Sequence, residues 1–239
     1  MTISNLDYLS VNQLYVFDRH TGEEIVSDVL APGIRGPRLS DRTAPTAAEV
    51  KTKKLAMAFE DTGTGTRLTA RTNRIQLDLE AATSGDCLAV VVPWDDKRFQ
   101  YTVKDLARPV TGSITIDGRT YEIPPATTFA ALDRGRGRWP YSLTWNWATA
   151  CGISDGHTIG LQLGGKWTDG TGSTENGITV DGDLTYWPHL APWEYDTGGW
   201  FGPLRGTGAA RAGAVGCAPV PWHLAPLVDT PETVAPRSS

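Results

Sequence analysis

Methionine, cysteine and histidine are scarce: two, three and four in 239 residues. Cys87, Cys151 and Cys217 are odd in number and far apart in the chain. That excludes a CxxC zinc pair and outlines no disulfide framework. Buried free thiols in a reducing, cytoplasmic compartment are the expectation. His20, His157, His189 and His223 have no metal-ligand spacing, so neither a metal site nor a cofactor is expected. Positive charge is also in deficit. Twenty-two Lys and Arg against 27 Asp and Glu leave a net charge of −5, which removes the electrostatic case for nucleic acid or acidic membranes. No apolar run approaches the roughly 18–20 residues of a membrane-spanning helix, and Met1 to Tyr8 lacks the basic and apolar regions of a secretory signal. Helical periodicity is missing too, and no Ser sits in a strand–helix elbow that would make it a triad nucleophile.

What is present alternates at period two. Tyr8 to Phe17, Glu24 to Val29, Lys53 to Glu60, Thr66 to Thr72 and Arg74 to Leu79 read as strands, with turns at Asp18–Gly22 and Gly63–Gly65. Ala31 to Ala48, rich in Pro, Gly and Arg, reads as a loop. Cys87 to Trp94 is a compact β-branched run expected to be buried on both faces or against a second sheet. Arg98 to Val103 alternates again, setting Phe99, Tyr101 and Val103 against Arg98, Gln100 and Thr102. Asp117-Gly118, Asp155-Gly156 and Asp181-Gly182 each separate two strand-like runs. Three such hairpin signals predict an all-β, antiparallel, up-and-down fold. Residues 1–197 are expected to form this β domain. Residues 198–239, dominated by Gly, Ala and Pro, are expected to be a disordered tail.

Two stretches carry the candidate chemistry. Asp133 to Trp147 reads as one strand with two unlike faces: Trp139, Tyr141, Leu143, Trp145 and Trp147 against Arg134, Arg136, Arg138, Ser142, Thr144 and Asn146. Its alternate glycines do not make a phosphate loop, because no Lys-Ser/Thr ending and no helix follow. The arginines suit a carboxylate or phosphate, or else a solvated face. The aromatic row suits a core or a ligand platform. Gly164 to Asn176 is the second stretch, a Gly-rich loop that gathers Lys166, Trp167, Asp169, Glu175 and Asn176. Glu175 or Asp169 could serve as general acid or base if buried, although the same letters also build surface turns.

The segments DRGRGRWPYSLTWNWA, LQLGGKWTDGTGSTENGITVDG and VVPWDDKRFQYTVKDLARP resemble the signatures of the DUF2804 family, bacterial proteins of unknown function. The resemblance runs from about Asp7 to Asp196. More remotely, the family resembles the lipocalin-like carotenoid 1,2-hydratase and AttH group. That relation implies antiparallel barrels in two side-by-side halves, able to hold an apolar or amphiphilic molecule, and it carries no catalytic residue over. The resemblance also implies additional sequence before the strand at Tyr8 and further strands after Asp196, so the chain is expected to be a fragment whose second half is truncated.

The leading expectation is therefore a lipocalin-like protein that binds, and in its enzymatic form hydrates or isomerises, an apolar or amphiphilic molecule. Trp139, Tyr141, Trp145, Asn146, Trp147, Trp167 and Asn176 would line the site. Arg136, Arg138 and Lys166 would orient a polar group, with Glu175 or Asp169 as acid or base. A carbohydrate-binding or carbohydrate-processing module and an inactive fragment are the alternatives. Sequence leaves the oligomeric state open.

Overall fold

The structure, a computed structural model, describes residues 1–33, 36–40, 47–124, 126–191, 193–194 and 205–206. The expected tail falls almost wholly outside the described residues, as does Cys217. Every regular element among them is a strand, and the strands of each meander pair antiparallel. The fold is thus the all-β, antiparallel arrangement of hairpins that the alternation predicts, in keeping with the lipocalin-like class that the resemblance implies. No helix among the described residues is long and apolar enough to cross a membrane. All three Asp-Gly pairs are hairpin turns with positive φ at both positions: 49° and 83°, 51° and 84°, 51° and 93°. That is the type I′ geometry, whose twist matches the flanking strands. Asp tolerates it through local hydrogen bonding and Gly through its missing Cβ.

The chain divides into two compact units, each built from two separate segments. Unit one comprises Met1–Ser84 and Arg108–Ala130. In it β1 (Thr2–Asn5), β2 (Leu9–Phe17) and β3 (Glu24–Pro32) form one meander. A second runs through β4 (Arg38–Leu39), β5 (Ala48–Lys51), β6 (Ala56–Asp61), β7 (Gly65–Arg71) and β8 (Ile75–Ala82). The sequence of Ala31 to Ala48 thus holds the short β4 as well as loop. Leu14, Ile25, Val50, Leu55, Met57, Ala70, Ile75 and Leu77 form the core. All but Leu55, which directly precedes β6, come from strands β2, β3 and β5 to β8, and each large one adds roughly 1.5–3 kcal/mol by burial.

Unit two comprises Gly85–Ala107 and residues from Ala131 onward. It contains β9 (Leu88–Pro93), the first residues of the long β10 (Phe99–Ile116) and most of β12 (Phe129–Arg138). Between them in sequence, β11 (Arg119–Glu122) returns on the far end of β10 in unit one. A meander of β13 (Asn146–Ser154), β14 (His157–Gly165), β15 (Asn176–Val180) and β16 (Asp183–Trp187) completes unit two, with a short pair β17 (Trp193–Glu194) and β18 (Arg205–Gly206). Strand β14 lies between two partners, and Gly160 to Gly165 are all buried.

Two expectations are corrected here. Asp133 to Trp147 is not one strand: β12 ends at Arg138, Trp139 to Trp145 form a connection, and β13 begins at Asn146. Pro140, which lacks a donor and biases the residue before it, interrupts the ladder. The aromatic row is consequently no core face, since Tyr141 is fully exposed and Trp145 is 66% exposed. Strand β9 is buried on one face only, with Val92 inside and Val91 52% exposed. Its described partner is β10 alone. The thiols are not both buried: Cys87 is exposed in the approach to β9, and Cys151 is half-buried with its sulfur accepting from the Ala107 N–H.

Candidate functional site

The site starts from the polar row of β10. Gln100, Thr102 and Lys104 occupy alternate positions and are all buried, at 9%, 0% and 5% exposure. A buried row of polar side chains on a strand with apolar neighbours such as Val103 is costly unless partners or a ligand meet it. Partners are present. Lys104 Nζ donates to Asp133 Oδ1 on β12 at 2.7 Å, lies 3.9 Å from Glu175 Oε2, and sits 5.7 Å from the centre of the Trp147 ring. A lysine thus held by two carboxyl groups and an aromatic face is a built polar centre, all of it within unit two.

Glycine makes room for it. In the RGRGR run of β12, Asp133, Gly135 and Gly137 share one parity and the three arginines the other. A Cβ on Gly137 would lie 2.1 Å from the Phe99 carbonyl oxygen and 2.8 Å from Gln100 Cα; one on Gly135 would lie 2.8 Å from Gln100 Nε2. The glycine row is therefore the face laid against β10. The arginine row looks away from the Lys104 centre. Gly164 has the same function on β14, where a Cβ would stand 3.0 Å from Glu175 Cβ.

Glu175 is 1% exposed, at the end of the Gly-rich loop just before β15. Burial pushes its carboxyl up to about 7; Lys104 and the Thr102 hydroxyl pull it down, and Asp133 pushes it further up. Desolvation wins because Lys104 stands 3.9 Å away with Asp133 as its nearer partner. Thr102 Oγ1 is near enough to favour the carboxylate yet not oriented as a formed hydrogen bond. Both it and Glu175 Oε1 are buried without a partner. Such atoms call for a water or a ligand.

A cavity of about 430 Å³ opens against this centre, lined by Gln100, Lys104, Asp133 and Glu175 at its polar side. Trp139, Leu143, Trp145, Asn146, Trp147 and Trp167 supply the rest of its wall. Trp147 is fixed by its indole N–H, which donates to Gln162 Oε1 at 2.9 Å. The Trp167 ring is tilted against Trp94, whose indole N–H donates to the Trp167 carbonyl. The two stretches singled out in the sequence therefore meet around one cavity.

The structure distributes the expected residues unevenly. Glu175, Trp139, Trp145, Asn146, Trp147 and Trp167 line the cavity. Asn176 is fully buried behind it, its amide committed to the Gly164 N–H and the His189 carbonyl. Asp169 and Lys166 lie exposed in a loop turn, Asp169 donating its N–H to the Lys166 carbonyl. Tyr141 points to solvent. Arg136 is exposed, and Arg138 borders a separate hollow with Asp95, Asp96, Lys97 and Arg98. Lys104, Asp133, Gln100 and Thr102 were not read as site residues. The available signal was the shared parity of Gln100, Thr102 and Lys104 within the VVPWDDKRFQYTVKDLARP segment. Among the described residues, no three His, Cys, Asp or Glu side chains converge to hold a metal ion.

The model of the family described as a domain of unknown function, DUF2804, matches residues 1–219. The chain belongs to the DUF2804 family. No curated protein matches this DUF2804 member in sequence. In structure it is similar to a Nitrosomonas europaea protein solved as an AttH, with 14% identity and a TM-score of 0.49. The match covers 82% of this chain and 62% of that protein, so the DUF2804 chain spans less than two thirds of it.

Proposed function

We propose that this DUF2804 protein binds an apolar or amphiphilic small molecule in the cavity of unit two. The observation that carries the reading is the union of four Trp rings and Leu143 with one polar centre, the buried Lys104 and Glu175 beside the half-exposed Asp133, in about 430 Å³. Ligand sites of small molecules typically have this volume and this ratio of apolar wall to a few convergent polar groups. The Trp and Leu walls would take the apolar body. Glu175 Oε1, buried and unpartnered in the cavity wall, would meet a polar function. A carboxyl group with a pKa of about 7 beside an apolar body is also suited to lend a proton. This supports acid-catalysed hydration or isomerisation of a double bond as the enzymatic form of the same reading.

Quenching of tryptophan fluorescence by an isoprenoid alcohol, a fatty acid and an oligosaccharide separates the alternatives. Saturable quenching by an amphiphile, weakened at least about tenfold in Trp139→Ala/Trp145→Ala, is the expected result. These two rings are 46% and 66% exposed, so their removal tests binding more than folding. That same exposure is what favours the second reading, a sugar stacked on the rings. Quenching by the oligosaccharide alone would replace the amphiphile with a carbohydrate.

A further inference from the structure

The polar end of the cavity has a charge arrangement that narrows the ligand's head group. Lys104 is the single cation among its lining residues, and it faces two carboxyl groups. Asp133, at 2.7 Å, already occupies the Lys104 ammonium. A ligand carboxylate would have to displace Asp133 or lie beside it unpaired, and like charges placed together are unfavourable. A ligand cation meets the opposite objection, because Lys104 already stands in the wall over the Trp147 ring. What remains open to an incoming group is the uncommitted hydrogen-bonding capacity of the buried Glu175 Oε1, with the Gln100 amide beside it in the wall.

Resting on the ligand-site reading above, we infer that the cavity selects an uncharged oxygen function, an alcohol, aldehyde or ketone, over the carboxylate of the same carbon skeleton. Asp133 enforces this by neutralising Lys104, with Glu175 the second carboxyl group that can balance the cation. Asp133 is a specificity residue that need not touch the ligand. Removing Asp133 alone leaves Lys104 with Glu175, 3.9 Å away, to balance it. Only removal of both carboxylates frees the cation.

The test compares farnesol with farnesoic acid, both titrated into the full chain at neutral pH. The native protein binds the alcohol about tenfold or more tightly than the acid. In Asp133→Asn/Glu175→Gln the ratio moves toward the acid by at least about tenfold, whereas Asp133→Asn alone moves it less. The change in ratio is the decisive readout, because the two ligands differ in intrinsic solubility and a ratio within one protein cancels that. Native binding of the acid as tightly as the alcohol overturns the inference and leaves the ligand site standing. So does a double variant that binds farnesol with an unchanged ratio. Binding of neither ligand by the native protein overturns both. The native comparison stands even where the double variant fails to fold.

Discussion

Glu175→Gln removes a titratable proton from the interior while keeping nearly the same shape, and its effect on stability should depend on pH in a defined direction. The carboxyl pKa is about 7 in the folded protein against 4.5 as the ordinary value. The folded state thus holds its proton where the unfolded chain has already lost it, and stability falls as pH rises. Below about pH 4.5 the native protein and the variant should differ by a constant. From there to about pH 7 the native protein loses ground, and above that the gap is constant again. At 1.36 kcal/mol per unit, the gap that opens is roughly 3 kcal/mol. His157, raised by its exposed contact with Asp181, shifts stability in the same direction. It is present in both proteins, so the difference between them isolates Glu175. Urea unfolding at a series of pH values, monitored by tryptophan fluorescence, measures that difference. Parallel curves for the two proteins would refute the claim that Glu175 is held neutral by burial.

The remaining predictions concern the groups around it. Lys104→Met removes the cation that pulls the Glu175 carboxyl down, so the midpoint of the Glu175 titration, followed by carbon NMR of the labelled carboxyl, should rise. Gly137→Ala places a Cβ against the backbone of Phe99 and Gln100 and should cost about 1–3 kcal/mol as overpacking, read from chemical denaturation. Gly156→Ala has open space around it but φ of +84°, so it should cost only about 1–2 kcal/mol from the backbone conformation, by the same measurement. Trp147→Phe leaves Gln162 Oε1 without its donor, beside a Gln162 amide nitrogen that already has no partner. It should destabilise by about 1–3 kcal/mol.

The hairpins were legible because Asp-Gly is a local signal: the turn conformation depends on two residues and on nothing distant. Glu175 was legible as a candidate because its loop is unusual, but its burial depends on Gly164 and the Trp rings, which only the folded chain brings to it. The Asp133–Trp147 stretch shows where period-two reading fails. Alternation continued past Pro140 although the strand did not, since the pattern counts side chains while the ladder needs backbone donors. Lys104 was overlooked for a related reason. A lysine at an alternating position normally marks the solvated face. Its pairing with Asp133 and Glu175 joins residues far apart in sequence, and no local pattern records it. The glycine row of β12 looked like spacing between arginines, whereas its function is close approach to β10.

The most direct test of the ligand-site claim is the titration of the Glu175 carboxyl by carbon NMR, with and without saturating farnesol. The account predicts a midpoint near 7 in the free protein and a higher one in the complex, because an apolar molecule filling the cavity desolvates the carboxyl further. A midpoint in the ordinary carboxylate range, or one that saturating ligand leaves unmoved, would contradict it.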